Sequence, residues 1–139
     1  MKQKLRRVLL IDDSAADNYY HKRILRKADV VEEVIIKENG KEALEYLKTV
    51  MSNDRFPQPE LVFLDINMPV MNGWEFLDAY EKLQLNQKAD LVVSMLTTSA
   101  SPRDRERAKE YDCLMGYEEK PLTVEKVIEL VRMFFPDRF

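Results

Sequence analysis

Acidic side chains follow two of the apolar runs in this sequence. Asp65 closes the run at residues 61–64, and the adjacent acids Asp12 and Asp13 follow the run at residues 8–11. If both runs are parallel strands of one sheet, their carboxyl ends meet at the edge where open α/β sheets bind ligands. We therefore expect the three carboxylates to lie close together.

Three neighbouring carboxylates repel one another unless a cation neutralises them or one of them keeps a proton. Oxygen ligands without histidine or thiolate suit a hard divalent cation such as Mg²⁺, which usually also binds waters and a phosphate oxygen. Acids also follow strands simply because loops are polar, so Asp12 and Asp13 alone would not establish a cation site. The cluster as a whole indicates phosphoryl chemistry.

Two more predicted strands end in residues that can bind a phosphoryl group. Thr97 opens a run of hydroxyl residues after the fourth strand, and Lys120 follows the fifth. A hydroxyl and an ammonium can each bind a phosphoryl oxygen, and the ammonium balances the charge of an anion attached to Asp65. Acids, a hydroxyl and a lysine at four strand ends together predict one site at one edge of the sheet.

The elements that must position these residues alternate along the chain. Apolar, β-branched-rich runs predict strands at residues 5–11, 30–36, 60–65, 89–97 and 114–119, and helical spacing predicts helices at about 14–27, 40–50, 73–85, from Pro102, and 124–135 after Thr123. Five β-α repeats favour an α/β fold, a parallel sheet with helices on both faces. At 139 residues, we expect a single domain over 1–139 and no separate output domain.

The charge balance and the cysteine count narrow the partners. Lys and Arg total 22 against 25 Asp and Glu, giving a net charge of −3, so we expect no direct nucleic-acid partner. A single cysteine, Cys113, cannot form an internal disulfide. Neither a secretory leader nor a run of about eighteen apolar residues is present, so we expect a cytoplasmic protein without a membrane partner.

Four blocks of sequence, at residues 11–14, 63–73, 96–99 and 117–121, carry a family resemblance. The chain resembles the receiver domain of two-component response regulators over residues 5–135. That resemblance implies a doubly wound, five-stranded, flavodoxin-like (βα)5 fold with strand order 2-1-3-4-5.

The resemblance also assigns the metal and acceptor roles. It implies that Asp65 is the phosphate acceptor. It further implies that Asp12, Asp13 and Asp65 bind Mg²⁺ or Mn²⁺ together with the backbone carbonyl of Asn67.

The same resemblance assigns the residues that bind the phosphate and respond to it. Lys120 would pair with the phosphate, its bond to Pro121 would be cis, and Tyr117 would be the switch aromatic. The spacing to Lys120 leaves Thr97 and Thr98 as alternatives for the switch hydroxyl. We prefer Thr97 because it directly follows the apolar end of the fourth strand.

By this resemblance the protein is a phosphorylatable switch in a two-component phosphorelay. Asp65 would receive a phosphoryl group from a phosphohistidine of a sensor histidine kinase or histidine phosphotransfer protein, and the altered surface would bind an unknown downstream protein. It would be a signalling domain that catalyses only its own phosphorylation and dephosphorylation, rather than an enzyme.

Two other functions compete with this one. A dehalogenase-like aspartyl-phosphate hydrolase also attacks with a strand-end aspartate, but such enzymes resemble Asp-x-Asp, and this chain has Asn67 at the second position and no inserted cap. A receiver-like module that binds partners without phosphorylation is disfavoured because the acids, the threonine and Lys120 are all retained.

Two aromatic or ionisable residues outside these blocks have simpler interpretations. His21, the only histidine, lies beside Lys22 and Arg23 in the first predicted helix, so we expect it on the surface. Trp74 follows Gly73 at the start of the third helix, and we expect it to pack rather than bind a ligand.

Overall fold

The structure, a computed structural model, describes residues 2–89, 93–97 and 101–139; within 93–97 the only side chain described is that of Leu96. The strands are β1 (Leu5–Ile11), β2 (Val31–Lys37), β3 (Leu61–Asp65), β4 (Val93–Thr97) and β5 (Leu114–Glu119). The α-helices are α1 (Ala15–Ala28), α2 (Gly40–Leu47), α3 (Gly73–Glu81), α4 (Pro102–Ala108) and α5 (Val124–Phe134). Short 3-10 turns lie at Leu85–Gln87 and Pro136–Arg138.

The strands form one parallel sheet in the order β2-β1-β3-β4-β5. This confirms the predicted doubly wound fold and its strand order. Ile11 of β1 is paired with Leu64 of β3, and Asp65 is paired with Leu96 of β4. The carboxyl ends of the central strands are therefore level, so the residues that follow them share one edge of the sheet.

Alternate residues of the central strands pack against opposite layers of helices. On one face, Leu9 and Val62 belong to a core with α2, α3 and α4. On the other, Leu10 and Phe63 belong to a core with α1 and α5. Strands buried on both faces read as continuous apolar runs, which explains the sequence pattern of β1 and β3.

Polar residues cap the helices that begin near the site. The side chain of Ser14 accepts a hydrogen bond from the backbone N–H of Asp17 at the start of α1, and that of Thr123 accepts one from Lys126 at the start of α5. At the start of α3, Asn72 and Glu75 form a reciprocal capping box. The predicted starts at Ser14 and Thr123 are confirmed.

Two helices are shorter than predicted. α2 ends at Leu47 and α3 at Glu81, although the patterns extended to about Val50 and Leu85. Val50 is 56% exposed and Leu85 is 86% exposed, so neither side chain packs in the core and packing does not stabilise a longer helix.

Two strands also differ from the prediction. β2 begins and ends one residue later than predicted, and the predicted start of β4 falls partly on residues 90–92, outside the described ones.

Within the described residues, no helix combines the length and apolar character that crossing a membrane requires.

Candidate functional site

The three predicted acids do meet. Carboxylate oxygens of Asp12, Asp13 and Asp65, one from each residue, all lie within 4.8 Å of one another. Asp12 and Asp65 are buried, with 4% and 8% of their surface exposed, whereas Asp13 is exposed. The cluster therefore has a buried base formed by two carboxylates and an outer acid in contact with solvent.

Asp12 is held by the turn that joins β1 to α1. Its Oδ1 accepts a hydrogen bond from the backbone N–H of Ser14 at 2.9 Å, and its backbone carbonyl accepts one from Asn18 Nδ2 at 2.8 Å. Because these bonds are local, the short sequence after β1 is enough to orient the carboxylate. The second oxygen, Oδ2, is left to face the centre of the site.

The environment of Asp65 disfavours its negative charge. Burial, with the neighbouring charge of Asp12 second, raises the pKa of Asp65 to about 6, although Lys120 opposes the shift. A carboxylate with this environment is neutralised either by a proton or by a cation placed against it. At neutral pH, a cation among the three acids would relieve the repulsion directly.

Lys120 connects the acids from the far side of β4. Its Nζ donates to Asp12 Oδ2 at 2.6 Å and to Asp17 Oδ2 at 2.9 Å, and it lies 3.6 Å from Asp65 Oδ1. Burial opposes its positive charge, but the bonds to Asp12 and Asp17 raise the pKa of Lys120 above its ordinary value. The ammonium therefore stays charged at the centre of the site. Its peptide bond to Pro121 is cis, as predicted.

Asp17 is a site residue that the sequence analysis missed. It lies in the first turn of α1, and its side chain is 39% exposed while it contacts the buried ammonium of Lys120. That hydrogen bond is the main reason why the pKa of Asp17 is lowered. An acid in the first turn of a helix is common for reasons of helix polarity, so its type and position gave no signal of this contact.

The prediction that His21 lies on the surface is wrong. The side chain is 2% exposed, and its Nε2 accepts a hydrogen bond from the backbone N–H of Leu122 at 3.4 Å. Burial lowers the pKa of His21. Asn18, His21 and Leu25 form a buried stripe at helical spacing on α1, but two of the three are polar, so the sequence did not mark this face as buried.

The loop after β3 is anchored to two helices. The backbone N–H of Gly73 donates to the carbonyl of Ile66 at 2.8 Å, and that of Gly40 donates to the carbonyl of Met71 at 3.3 Å. A Cβ atom on Gly40 would come within 2.8 Å of the Met71 side chain, so glycine permits this approach. Asn67 lies exposed in this loop, and its carbonyl as a metal ligand stays a prediction.

The predicted switch residues lie on β4 and β5. Thr97 ends β4, where its backbone pairs with Glu119, and its side chain lies outside the described ones; Thr98 lies outside the described residues altogether. The choice between the two threonines stays a prediction. Tyr117 is half-buried, with Arg105 lying 5.0 Å from its ring centroid. Within the described part of the chain, its hydroxyl is buried without a hydrogen-bond partner.

A groove of about 510 Å³ lies between α4 and β5, beside Tyr117. Its floor includes Ala108, Leu114 and Gly116, and Met115, which is 55% exposed, lies along it. The predicted packing role of Trp74 is confirmed, because the buried indole stacks on Tyr111 with ring centroids 5.8 Å apart.

The acid cluster suits a hard divalent cation. Its donors are carboxylate oxygens, without the imidazole or thiolate that zinc and copper prefer. The raised pKa of Asp65 indicates charge repulsion that a cation would relieve. The residues present therefore fit Mg²⁺ or Mn²⁺.

Comparison with known proteins assigns the family. The sequence profile of the response regulator receiver domain matches residues 8–132. The chain belongs to the response regulator receiver family. Receiver domains are signalling modules of two-component systems, and the resemblance inferred from the four sequence blocks is confirmed.

Relatives of this receiver include proteins that extend beyond the matched segment. It is 32% identical to the response regulator Rcp1 of Synechocystis sp. over 100 residues, 70% of this chain and 65% of Rcp1. It is 36% identical over 95 residues, 68% of this chain, to protein-glutamate methylesterase/protein-glutamine glutaminase 3 of Burkholderia thailandensis, but the match covers 24% of that protein. This receiver thus spans less than two thirds of the length of either relative.

A solved structure supports the same family. The crystal structure of a two-component response regulator from Cytophaga hutchinsonii aligns with a TM-score of 0.82 at 31% identity, covering 96% of this chain and 99% of that one.

Proposed function

We propose that this receiver is a phosphorylatable switch whose acceptor is Asp65. The observation that carries the proposal is the position of one ammonium against the acid cluster, with Lys120 Nζ 3.6 Å from Asp65 Oδ1. A carboxylate nucleophile, a fixed cation for the incoming anion and a set of hard oxygen donors are the components that phosphoryl transfer requires.

In the proposed transfer, a carboxylate oxygen of Asp65 attacks the phosphorus of a phosphohistidine. A phosphorus–oxygen bond forms, the phosphorus–nitrogen bond breaks, and its electron pair returns to the donor imidazole. Burial of Asp65 limits the access of water to the carboxylate. Later attack of water on the acyl phosphate would reset the switch.

Asp12, Asp13 and Asp65, with the backbone carbonyl of Asn67, are the residues that would hold Mg²⁺ or Mn²⁺. When bound, the cation would offset negative charge on the transferring phosphoryl group. Lys120 contributes the second positive charge. It is 8% exposed and anchored on Asp12, so it meets an incoming phosphoryl oxygen from a defined side.

The response would start at the ends of β4 and β5. A phosphoryl group adds nearly two negative charges and several acceptor oxygens. We propose that the hydroxyl of Thr97 moves toward these oxygens and that Tyr117 turns inward, which alters the groove beside it. The hydroxyl of Tyr117 is buried and has no hydrogen-bond partner among the described residues, which supports this part of the proposal because such a group is costly and would gain from a rearrangement.

The partners follow from the chemistry. The donor would be a sensor histidine kinase or a histidine phosphotransfer protein, and the reader would be a downstream protein that binds the altered surface. We further propose that residues 1–139 form one receiver domain that works in the cytoplasm and catalyses only its own phosphorylation and dephosphorylation.

The test is intact-mass measurement after incubation with Mg²⁺ and either acetyl phosphate or phosphoramidate. The native protein is expected to gain one phosphoryl group, and neither Asp65→Asn nor native protein with EDTA is expected to gain it. Glu60→Asp, a change to a buried acid at the opposite end of β3, is the control for general damage to the fold and is expected to gain the group. Absence of any gain with both donors in the native protein would overturn the proposal.

A further inference from the structure

Lys120 is bonded to a carboxylate that lies outside the acid cluster. Asp17 Oδ2 accepts from Lys120 Nζ at 2.9 Å, a shorter distance than the 3.6 Å between Lys120 and Asp65. Asp17 reaches the site from α1, and its backbone N–H is fixed by the Ser14 cap. The ammonium of Lys120 therefore lies closer to Asp17 on α1 than to Asp65, the proposed acceptor.

Helix α1 holds the segment after β5 at two points. Asp17 bonds the side chain of Lys120, and His21, one helical turn later, accepts the backbone N–H of Leu122. These two contacts lie on either side of Pro121 and come from the same face of α1. Leu122 is fully buried, so the backbone of this segment is fixed while the lysine side chain retains its rotatable bonds.

A phosphoryl group on Asp65 would compete for the same ammonium. Lys120 has three N–H donors, and two are used by Asp12 and Asp17. Asp12 is buried and would be shared with a cation, whereas Asp17 is partly exposed and keeps a full charge beside the lysine. The third donor remains for a phosphoryl oxygen, and any shift of Nζ from its present position toward Asp65 is resisted by its bond to Asp17.

We infer that Asp17 is a positioning residue that restrains Lys120 and thereby slows phosphorylation of Asp65. The inference rests on the proposed function, and it adds a determinant of rate that the acids and the lysine alone do not supply. Loss of the Asp17 charge frees the ammonium for the phosphoryl group and also reduces the negative charge that an anionic donor meets.

The test compares phosphorylation rates with acetyl phosphate at saturating Mg²⁺. Asp17→Asn is expected to be phosphorylated about fivefold faster than the native protein, the factor that corresponds to about 1 kcal/mol for a partly exposed ion pair. Asp29→Asn is the matched control, because it removes one charge from the end of the same helix at an exposed residue whose left-handed backbone suits asparagine. Its rate is expected to equal that of the native protein.

Two further variants separate restraint of Lys120 from a general structural effect. Asp17→Glu keeps the charge and can still reach the lysine, so it is expected to return the rate to near the native value. In a Lys120→Ala background, Asp17→Asn is expected to change the rate less than twofold, because the group it restrains is absent.

The outcomes distinguish the two proposals. Suppose that the native protein is phosphorylated on Asp65. If Asp17→Asn is then phosphorylated no faster than the native protein, or no faster than Asp29→Asn, the role of Asp17 is overturned while the proposed function stands. An equal acceleration by Asp17→Asn in the presence and absence of Lys120 would also overturn it. Absence of phosphorylation in the native protein would overturn the proposed function, and the role of Asp17 with it.

Discussion

Lys120 and Asp65 form an ion pair across the sheet, with Nζ 3.6 Å from Oδ1, although β4 lies between the strands that present them. Both side chains are about nine-tenths buried. At this distance the ammonium of Lys120 can still move closer to Asp65 when the negative charge on Asp65 increases. The protonation of Asp65 therefore depends on its charged neighbours.

Asp65→Asn is expected to stabilise the cation-free protein at pH 7.5. The pKa of Asp65 is raised to about 6, so the folded state binds more protons than the unfolded state between about pH 4 and 6, and stability falls as pH rises through that window. The gain is expected to be about 1–3 kcal/mol, measured by urea unfolding in EDTA. A less stable variant would contradict the assigned repulsion.

Lys120→Ala is expected to keep Mg²⁺ binding but to impair phosphorylation. The lysine contacts the carboxylates with its ammonium and supplies no metal ligand, whereas Asp13 supplies a carboxylate. Isothermal titration calorimetry is expected to show weaker Mg²⁺ binding for Asp13→Asn but not for Lys120→Ala. Equal losses in both variants would refute this division of roles. Lys4→Ala, at an exposed pair with Asp29, is the control for a change of charge alone.

His21 is expected to make the fold less stable in mild acid. Its pKa is lowered by burial, so between that value and the ordinary 6.5 the unfolded state binds more protons, and stability is lost as pH falls below about 6.5. His21→Gln keeps an acceptor for the Leu122 N–H but cannot titrate. Urea unfolding at pH 7.5 and 5.5 is expected to show a smaller acid loss in His21→Gln. An equal loss in both proteins would contradict the assignment.

Glu60→Gln is expected to destabilise the end of the sheet opposite the site. Glu60 is 2% exposed, accepts the backbone N–H of Arg6 at 2.7 Å and forms an ion pair with Arg138 near the carboxyl end. Breaking a buried pair from one side costs about 3–5 kcal/mol. Glu33→Gln, which breaks the ion pair that the 53% exposed Glu33 side chain forms with Arg7, is the matched control and is expected to cost less than about 1 kcal/mol. Similar losses in urea unfolding would contradict the structural role of Glu60.

The sheet and the acid cluster were predictable from the sequence because their signals are local. β1 and β3 are apolar runs that end in acids, and a parallel α/β sheet brings such ends together. Asp12, Asp65 and Lys120 were therefore identified before their geometry was known. Strand order came from the family resemblance rather than from the strand patterns themselves.

The contacts of α1 were not predictable in the same way. Asp17 and His21 are polar residues in the first half of an amphipathic helix, where surface exposure is the usual outcome. Their contacts depend on how α1 packs beside α5, which brings them against Lys120 and Leu122 from more than a hundred positions away. The sequence pattern predicts only that Glu60 starts a strand, because its partner Arg138 is likewise distant in sequence.

The most direct test of the central claim is to locate the phosphoryl group. Borohydride reduces an acyl phosphate on aspartate to homoserine, so the native protein is phosphorylated with acetyl phosphate and Mg²⁺, reduced, digested and sequenced by tandem mass spectrometry. Homoserine is expected at position 65, with Asp12, Asp13 and Asp17 unchanged. Homoserine at any of those three positions, or at none, would contradict Asp65 as the acceptor.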